Sequence, residues 1–274
     1  MQIIVARNIG FCSGVDRAVK KTKELLEKGY RVFTDDDIVH NKNVMNDLLV
    51  SGLSFEDGEV FLVRAHGLPP EKIREYEKKY RVVNLTCPIV MDLFEKAKRL
   101  REKGYKIVVF GKKSHPEMIA LKGYVSDAMV TKVPGKFVEK KVAFLSQTTS
   151  SLEEFNEFIC ETTKISKINE LLVCNTICDL TIKREEEVKK LSKICDLIIV
   201  IGGKHSSNTL KLARLASINT SVLHVESVNE LINIPDNVKK VGIVSGTSTS
   251  VYDVEKVIDR LKELGGMLEN GQQL

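Results

Sequence analysis

The chain has 274 residues, of which 43% are hydrophobic and 29% are charged, and its formal net charge is +5. This composition excludes a disordered protein, and the length allows a core divided over two or three lobes. Tryptophan is missing and aromatic residues make up only 6%, so the dispersed positive charge favours an anionic small molecule or an acidic protein partner over a nucleic acid.

The first residues, MQIIVARNIG, have neither the basic start nor the long apolar run of a secretory signal. No apolar stretch of the sequence reaches membrane length. We therefore expect a cytoplasmic protein in a reducing compartment. Structural disulfides are rare there, so the six cysteines are expected to pack, to bind metal or to catalyse.

Short apolar runs that end in a turn, each followed by helical periodicity, recur along the chain and predict buried parallel strands. In chain order these predicted strands are QIIVARN, VFLVRAH, YRVVNLT, YKIVVFG, VAFLSQ, LLVCNT, LIIVIGG and KVGIVSG. Amphipathic segments between them, such as DLFEKAKRLREKG, SLEEFNEFICETT and IKREEEVKKLSKI, predict helices. The predicted fold class is therefore α/β with parallel sheets.

The residues that follow the predicted strands repeat in the same order three times. A cysteine comes first, with an asparagine three or four residues before it, and polar loops follow. His40 lies 28 residues after Cys12, His115 lies 28 residues after Cys87, and the loop HSSNT begins 27 residues after Cys178. We interpret this pattern as three copies of one α/β unit. The predicted lobes are residues 1–87, with the N-terminal strand and the Cys12 loop at the centre of the molecule, 88–177 and 178–264, followed by a flexible C-terminal tail at 265–274.

Three such lobes arranged around an axis form a trefoil, and the carboxyl ends of their strands would bring the three cysteines to its centre. Three cysteines without a matching fourth do not suit a closed structural zinc site. They suit a [4Fe–4S] cluster that keeps one open iron. Cys174 is the one serious rival to Cys178 as a ligand, whereas Cys160 and Cys195 are expected to pack as small hydrophobic residues.

Polar residues on the other loops predict an anion site and a proton donor. The loops HSSNT and SGTSTS offer hydroxyl and amide donors that suit a phosphate at a helix N-terminus, although ordinary helix caps use the same residues. Glu117 follows His115 by two residues and is a candidate proton donor in a dry pocket. Thr148 offers a hydroxyl that could position or relay a proton. The residues alone thus indicate an iron–sulfur protein that binds a phosphorylated small molecule.

Nine segments, in order, also resemble those of the 4-hydroxy-3-methylbut-2-enyl diphosphate reductase (LytB/IspH) family: GFCSGVDRAV, IVHN, RAHG, TCP, HPE, SQTT, NTIC, KHSSNT and SGTS. The resemblance spans about Met1 to Leu264. It implies a three-lobed trefoil around a central cluster. It also implies reductive dehydroxylation of (E)-4-hydroxy-3-methylbut-2-enyl diphosphate to isopentenyl and dimethylallyl diphosphates, the last step of the methylerythritol phosphate route to isoprenoids. A ferredoxin or flavodoxin is the expected electron donor, and a monomer is the expected state.

The resemblance also implies roles for particular residues. Cys12, Cys87 and Cys178 correspond to the ligands of the [4Fe–4S] cluster, whose open iron would bind the substrate. Glu117 corresponds to the proton source, and Thr148 to a hydroxyl that orients the substrate and passes the proton. The diphosphate is expected to contact the following residues: His40, His66, His115, Ser206, Ser207, Asn208 and Ser248.

Two other functions are weighed against this one. The first is a non-catalytic iron–sulfur sensor that binds a phosphorylated ligand, but a sensor needs no proton donor such as Glu117 with Thr148. The second is a zinc-dependent phosphate-ester hydrolase, which the missing fourth ligand disfavours. Ser13 stands beside Cys12 where the family has phenylalanine, and this smaller polar side chain could alter the shielding of the cluster.

Overall fold

The structure is a computed structural model and describes residues 1–269, so the end of the predicted C-terminal tail, from residue 270, lies outside the described residues. The strands are β1 (Gln2–Val5), β2 (Val32–Phe33), β3 (Val60–Val63), β4 (Arg81–Asn84), β5 (Lys106–Phe110), β6 (Met129–Thr131), β7 (Lys141–Ser146), β8 (Glu170–Val173), β9 (Leu197–Ile201), β10 (Ser221–Val225), β11 (Lys240–Ser245) and β12 (Met267–Leu268). The helices are α1 (Ser13–Glu27), α2 (Lys42–Val50), α3 (Pro70–Glu77), α4 (Pro88–Glu102), α5 (Pro116–Tyr124), α6 (Leu152–Ile165), α7 (Asp179–Leu191), α8 (Ser207–Ser217) and α9 (Val251–Glu263), with a 3₁₀ turn at Val228–Glu230.

The chain divides into two compact units. Unit 1 contains Met1–Asp16, Val39–Asp47 and the described residues from Ile182 onward, and unit 2 contains Arg17–Ile38 and Leu48–Thr181. Strands pair in parallel throughout both units, which confirms the predicted α/β class. The predicted lobe boundaries, at residues 87, 177 and 264, stay a prediction.

Unit 1 is built on one sheet with the strand order β10-β9-β11-β1-β12. Its strand β9, with the sequence LIIVI, is buried along its whole length because helices cover both faces of the sheet. Ile199 and Ile201 pack on one side with residues of α9, such as Val257. Ile198 and Val200 pack on the other side with residues of α7 and α8. A continuous apolar run is therefore the correct sequence signal for this strand.

The beginning and the described end of the chain both belong to this sheet. β1 pairs with β11 on one side and with β12 on the other. Part of the predicted flexible tail is likewise a strand, because Met267 and Leu268 pair with Gln2 and Ile3. Leu268 packs against the apolar cluster that includes Ile3, and this burial holds the segment in place.

Unit 2 contains two sheets, with the orders β2-β3-β4 and β6-β5-β7-β8. In the first sheet, Phe33 and Phe61 pack with Tyr76 of α3, and the Phe61 and Tyr76 rings stack with centroids 3.5 Å apart. In the second, Phe94 and the neighbouring apolar side of α4 pack onto β5 and β7. Each sheet thus has its own core, and each presents the carboxyl ends of its strands to loops that carry predicted site residues.

No helix within residues 1–269 combines the length and the apolar character that crossing a membrane requires.

Candidate active site

The three predicted ligand cysteines occupy the same position in the three sheets. Each follows one strand of a parallel pair, and its backbone N–H donates to a carbonyl on the loop that follows the neighbouring strand. These hydrogen bonds are Cys12 to Thr247 (3.0 Å), Cys87 to Ala65 (2.9 Å) and Cys178 to Thr148 (2.9 Å). The repeat seen in the sequence is therefore also a repeat of backbone geometry.

Each of these cysteines also begins a helix. Cys87 is the N-cap of α4, with Pro88 as the first helical residue, and Cys12 and Cys178 immediately precede α1 and α7. In the Cys12 loop (residues 6–12) the thiol sulfur accepts a hydrogen bond from the backbone N–H of Val15 at 3.4 Å. All three thiols are half-buried, and no disulfide forms among the cysteines of the described chain.

The other cysteines have different surroundings. Cys174 directly follows β8 and packs against the apolar core of its sheet, and this burial raises the pKa of its thiol. Cys195 is buried, as predicted, and burial raises its pKa to about 11. Cys160 is exposed, so its predicted packing on the apolar side of α6 is wrong. Phe155 and Phe158 form that side of the helix, and Cys160 lies off the stripe they define.

Glu117 and Thr148 contact each other inside unit 2. Glu117 lies in the first turn of α5 and is 1% exposed. The backbone N–H of Thr148 donates to Oε1 of Glu117 at 2.8 Å, and the Thr148 hydroxyl donates to Oε2 at 2.7 Å. The Thr148 carbonyl accepts the Cys178 N–H described above, so Thr148 joins the buried carboxyl to the Cys178 loop.

Burial raises the pKa of Glu117 to about 7, and the two hydrogen bonds from Thr148 act in the opposite direction without cancelling it. A carboxyl group with this pKa is partly protonated near neutral pH. It can therefore serve as a general acid, which an exposed glutamate, ionised at that pH, cannot do effectively.

This raised pKa predicts how the free energy of unfolding depends on pH. Between the ordinary pKa of 4.5 and about 7, the folded protein retains a proton on Glu117 that the unfolded chain has released. The stabilisation from this retained proton is complete below pH 4.5 and is lost as the pH rises through 7. Above pH 7, the ionised Glu117 therefore lowers the free energy of unfolding by up to about 3 kcal/mol relative to its value below pH 4.5. Urea unfolding of the wild type and of Glu117→Gln across this pH range should show that the free energy of unfolding falls less with rising pH in the variant. Equal pH slopes for the two proteins would contradict the prediction.

His66 and His115 lie side by side in unit 2. Their ring centroids are 5.5 Å apart, with the edge of one ring towards the face of the other. His115 is the N-cap of α5, and its Nδ1 accepts the backbone N–H of Glu117 at 3.3 Å. His66 follows β3 in a turn closed by the Gly67 N–H and the Arg64 carbonyl at 3.0 Å. These two histidines are far apart in the sequence, but their rings are in contact.

Gly67 fixes the turn that carries His66. Its φ is +80°, and a Cβ at this position would lie 2.9 Å from the Phe94 ring. We expect Gly67→Ala to lower the free energy of unfolding by about 2 to 4 kcal/mol, through backbone strain together with a steric clash. Gly104→Ala is the matched control, because Gly104 has a φ of +83° but no atom within 4 Å of the added carbon. Urea unfolding that gave equal losses for both variants would contradict the packing effect.

In unit 1, the Ser248 loop (residues 246–250) is tied to the loop that carries His40. The Ser248 hydroxyl donates to the His40 carbonyl at 3.0 Å, and the Asn41 side chain donates to the Ser248 carbonyl at 2.8 Å. Since the same loop receives the Cys12 N–H at Thr247, it connects a predicted cluster ligand with two predicted substrate contacts. Asn41 was not assigned a role from the sequence, although it is the last residue of the segment IVHN.

The start of α8 carries the remaining predicted substrate contacts. Ser206 is the N-cap, and its hydroxyl accepts the Thr209 N–H at 3.4 Å, while Ser207 is exposed. Asn208 is only 3% exposed, yet neither its Oδ1 nor its Nδ2 has a hydrogen-bond partner within residues 1–269. A buried amide without partners is costly, so it indicates a polar ligand at this position. Next to a helix N-terminus, an anion is the natural candidate.

Two arginines contact these loops and were not predicted. Arg184 of α7 donates to the carbonyls of Gly10 and Ser245, and Arg17 of α1 donates to those of Leu85 and Thr86. In the sequence, Arg184 lies in the charged run KREEEV, which is typical of a solvated helix surface. The sequence therefore does not predict that Arg184 is buried, with only 2% of the residue exposed.

Comparisons with known proteins identify the family. The family model described as "LytB protein" matches residues 3–262. Proteins named 4-hydroxy-3-methylbut-2-enyl diphosphate reductase from Thermotoga neapolitana and Clostridium perfringens are 54% and 38% identical. The matches cover 97% and 96% of this chain, and 96% and 99% of the two relatives.

Solved structures agree with these matches. A structure described as (E)-4-hydroxy-3-methyl-but-2-enyl diphosphate reductase, the terminal enzyme of the non-mevalonate pathway, is 35% identical with a TM-score of 0.70, over 96% of this chain and 99% of that one. The Plasmodium falciparum structure of E-1-hydroxy-2-methyl-but-2-enyl-4-diphosphate reductase is 24% identical with a TM-score of 0.85, over 99% and 93%, and shows the fold alone. Because the family model and the closely similar relatives extend over nearly its whole length, this chain belongs to the LytB family.

Proposed function

We propose that this chain reduces (E)-4-hydroxy-3-methylbut-2-enyl diphosphate to isopentenyl and dimethylallyl diphosphates. Its LytB relatives carry the corresponding reductase name over nearly the full length of both chains. The observation that carries the proposal is the buried Glu117–Thr148 pair beside the Cys178 loop, because it combines a proton donor with a loop suited to a metal cluster. The reaction consumes two electrons and two protons and releases one water molecule.

Members of the family are iron–sulfur enzymes, and the thiols of this chain suit that group. We propose Cys12, Cys87 and Cys178 as the ligands of a [4Fe–4S] cluster. The three share one backbone geometry, and each is half-buried at the start of a helix. Three thiolates leave one iron of such a cluster without a protein ligand. When bound, the cluster supplies the electrons and a Lewis acid for the departing hydroxyl group.

The protein's own residues bind and orient the diphosphate in this proposal. The buried amide of Asn208 and the N-terminus of α8 supply neutral donors for phosphate oxygens. Hydroxyl groups and imidazole rings add further donors, and several donors suit the many oxygens of a diphosphate better than a single carboxylate. The proposed contacts are His40, His66, His115, Ser206, Ser207, Asn208 and Ser248.

Glu117 supplies the proton that lets the hydroxyl group leave as water. Thr148 holds both carboxyl oxygens, so the side chain is fixed before substrate binds. With a pKa of about 7, the carboxyl is partly protonated near neutral pH and still acidic enough to release its proton. Thr148 can also reverse its hydroxyl, accept a hydrogen bond and pass a proton, since a hydroxyl both donates and accepts.

The proposal is tested with protein purified without oxygen. Iron and acid-labile sulfide are assayed, and the diphosphate substrate is added with a reduced dye while the absorption spectrum is recorded. A spectral change on substrate addition, with oxidation of the dye and formation of both products, supports the reductase. Iron and sulfide without any product would favour the iron–sulfur sensor instead. A ferredoxin or flavodoxin as the physiological donor, a monomeric state and a cytoplasmic location stay predictions.

A further inference from the structure

We infer that Arg184 is a positioning residue that holds the Cys12 loop and the Ser248 loop in a fixed register. Arg17 has the corresponding but weaker role for the Cys87 loop (residues 85–87). This inference rests on the proposed function, because that function assigns the loops to cluster and substrate binding. Neither arginine is proposed to touch the substrate.

The guanidinium group of Arg184 joins the Cys12 loop of unit 1 to the end of strand β11, from which the Ser248 loop continues. Its Nη2 donates to the Gly10 carbonyl at 2.6 Å, and its Nη1 donates to the Ser245 carbonyl at 2.8 Å. The N–H of Gly10 donates to the Ser245 hydroxyl at 3.0 Å, so the Cys12 loop and this strand end are also linked directly. Gly10 precedes Cys12 by two residues, and Ser245 is the last residue before the Ser248 loop. Arg184 thus connects a proposed cluster ligand with a proposed substrate contact.

The backbone at Gly10 leaves little freedom for another arrangement. Gly10 has a φ of +79°, and a Cβ there would lie 2.6 Å from Val251 at the start of α9. One helical turn beyond Arg184, Glu187 accepts both the backbone and the side-chain N–H groups of Asn8 at 3.0 Å. Helix α7 therefore holds the Cys12 loop at Asn8 and at Gly10, and its Arg184 also binds the Ser245 carbonyl.

Arg17 makes the equivalent contact in unit 2. Its Nη2 donates to the carbonyls of Leu85, at 3.0 Å, and of Thr86, the residue before Cys87. In the sequence, Arg17 follows Cys12 by five residues and Arg184 follows Cys178 by six, so each lies near the start of a helix that a cysteine precedes. Because Arg17 is exposed, water competes for its hydrogen bonds and its contribution is smaller.

The third helix of the repeat differs. Asp92 stands five residues after Cys87, on α4, and pairs with Lys96 at 3.3 Å. The Cys178 loop is held instead by side chains of its own sheet, including the Thr176 hydroxyl, which donates to the Ser146 carbonyl at 2.6 Å. The arginine contact is therefore a property of two of the three cysteine loops.

The physical effect of Arg184 has a geometric and an electrostatic part. Removing a buried charged donor leaves two carbonyls without their partner, which destabilises the local arrangement. The guanidinium also places a positive charge near a loop that would carry an anionic cluster, and such a charge favours the reduced, more negative state. Loss of Arg184 is therefore expected to loosen both loops and to lower the reduction potential.

The test is amide hydrogen exchange on the anaerobically purified full chain with its cluster, followed by mass spectrometry. In Arg184→Met, exchange of the peptides covering 6–12 and 245–250 should become about tenfold faster. In Arg17→Met, only the peptide covering 85–87 should change, by about two- to fivefold. Arg260→Met is the control, because it removes only an exposed ion pair with Glu263 on α9. It should leave all three peptides unchanged.

The conservative variant separates charge from geometry. Arg184→Lys keeps the positive charge but cannot donate through a planar fork. It should restore the midpoint potential of the cluster towards the wild-type value. The amide exchange rates of the two loops should lie between those of the wild type and those of Arg184→Met. If Arg184→Met does not fold, this intermediate exchange in Arg184→Lys decides the question.

Two results would overturn the inference. One is unchanged exchange in both loops of the Arg184 variants. The other is an equal rise across the whole chain, including β5 and β7 of unit 2, because this would indicate only a general loss of stability. Turnover of the wild type is measured on the same preparation. If the wild type makes no product but the local exchange pattern appears, the proposed function fails while Arg184 remains the residue that positions these loops.

Discussion

Replacing Cys87 with serine should abolish both cluster binding and product formation. The backbone around Cys87 is held by its N–H bond to Ala65 and by the Met91 N–H bond to its carbonyl, each 2.9 Å long, so the serine can adopt the same position. A serine hydroxyl is a hard, weakly acidic ligand, whereas iron–sulfur clusters are held by thiolates. Iron and sulfide content, the visible spectrum and turnover of Cys87→Ser measure the effect.

Cys160→Ala is the matched control for this variant, because it removes an exposed thiol from α6. It should retain the cluster and the wild-type rate. A Cys87→Ser protein with full iron content and normal turnover would contradict the assignment of Cys87. Loss of the cluster in Cys160→Ala would show that the wrong thiols have been assigned.

Cys174 provides a second comparison, since it lies four residues before Cys178. It packs against an apolar core, and burial raises the pKa of its thiol, which disfavours the thiolate that a metal needs. Cys174→Ser should therefore keep the cluster, whereas Cys178→Ser should lose it. The reverse result would transfer the third ligand from Cys178 to Cys174.

Glu117→Gln should reduce product formation by about a hundredfold or more, because a positioned general acid contributes a factor of that size. The cluster spectrum and the affinity for substrate should stay near their wild-type values. Glutamine has the same shape, and its Oε1 can accept the Thr148 N–H, while its amide can donate to the Thr148 hydroxyl after that hydroxyl rotates. The variant therefore removes the acidic proton but keeps a side chain of the same size in the same position.

Single-turnover measurements with pre-reduced protein separate this effect from electron supply. Glu157→Gln is the control, because Glu157 is an exposed glutamate of α6. A rate near that of the wild type in Glu117→Gln would assign the protonation to another acid. A variant that also lost substrate affinity would instead place Glu117 among the residues that bind the diphosphate.

The strands that the sequence misses all lie at sheet edges, although two predicted strands, β4 and β8, are edge strands as well. The eight predicted apolar runs contain β1, β3, β4, β5, β7, β8, β9 and β11. The strands found only in the structure are β2, β6, β10 and β12, and each lies at an edge of its sheet in the described chain. Three of the missed strands, β2, β6 and β12, have only two or three residues, and β10 is interrupted by His224, so none of them forms the continuous apolar run that identifies a buried strand.

The site residues divide in a similar way. Cys12, Cys87 and Cys178 were found because a repeat places them at equivalent points, and Glu117 because it stands in a short motif with His115. Arg184 was not found, because a charged residue in a charged run is normally solvated. Cys160 was assigned to the apolar side of α6 because a cysteine is usually buried. In the structure Phe155 and Phe158 face the core, and Cys160 lies outside the stripe that they form on the helix.

The sequence by itself determined the α/β class, the parallel strands, the threefold repeat and the types of residue available for chemistry. These features follow from local patterns, because the apolar residues of a buried strand and the residues of the turn after it are neighbours in the sequence. Only the tertiary structure decided that Thr148 holds Glu117, that Asn208 is buried without a partner, and that Arg184 joins two loops. Each of these depends on contacts between residues far apart in the chain, which no local pattern specifies, and the burial that results raises the pKa of Glu117.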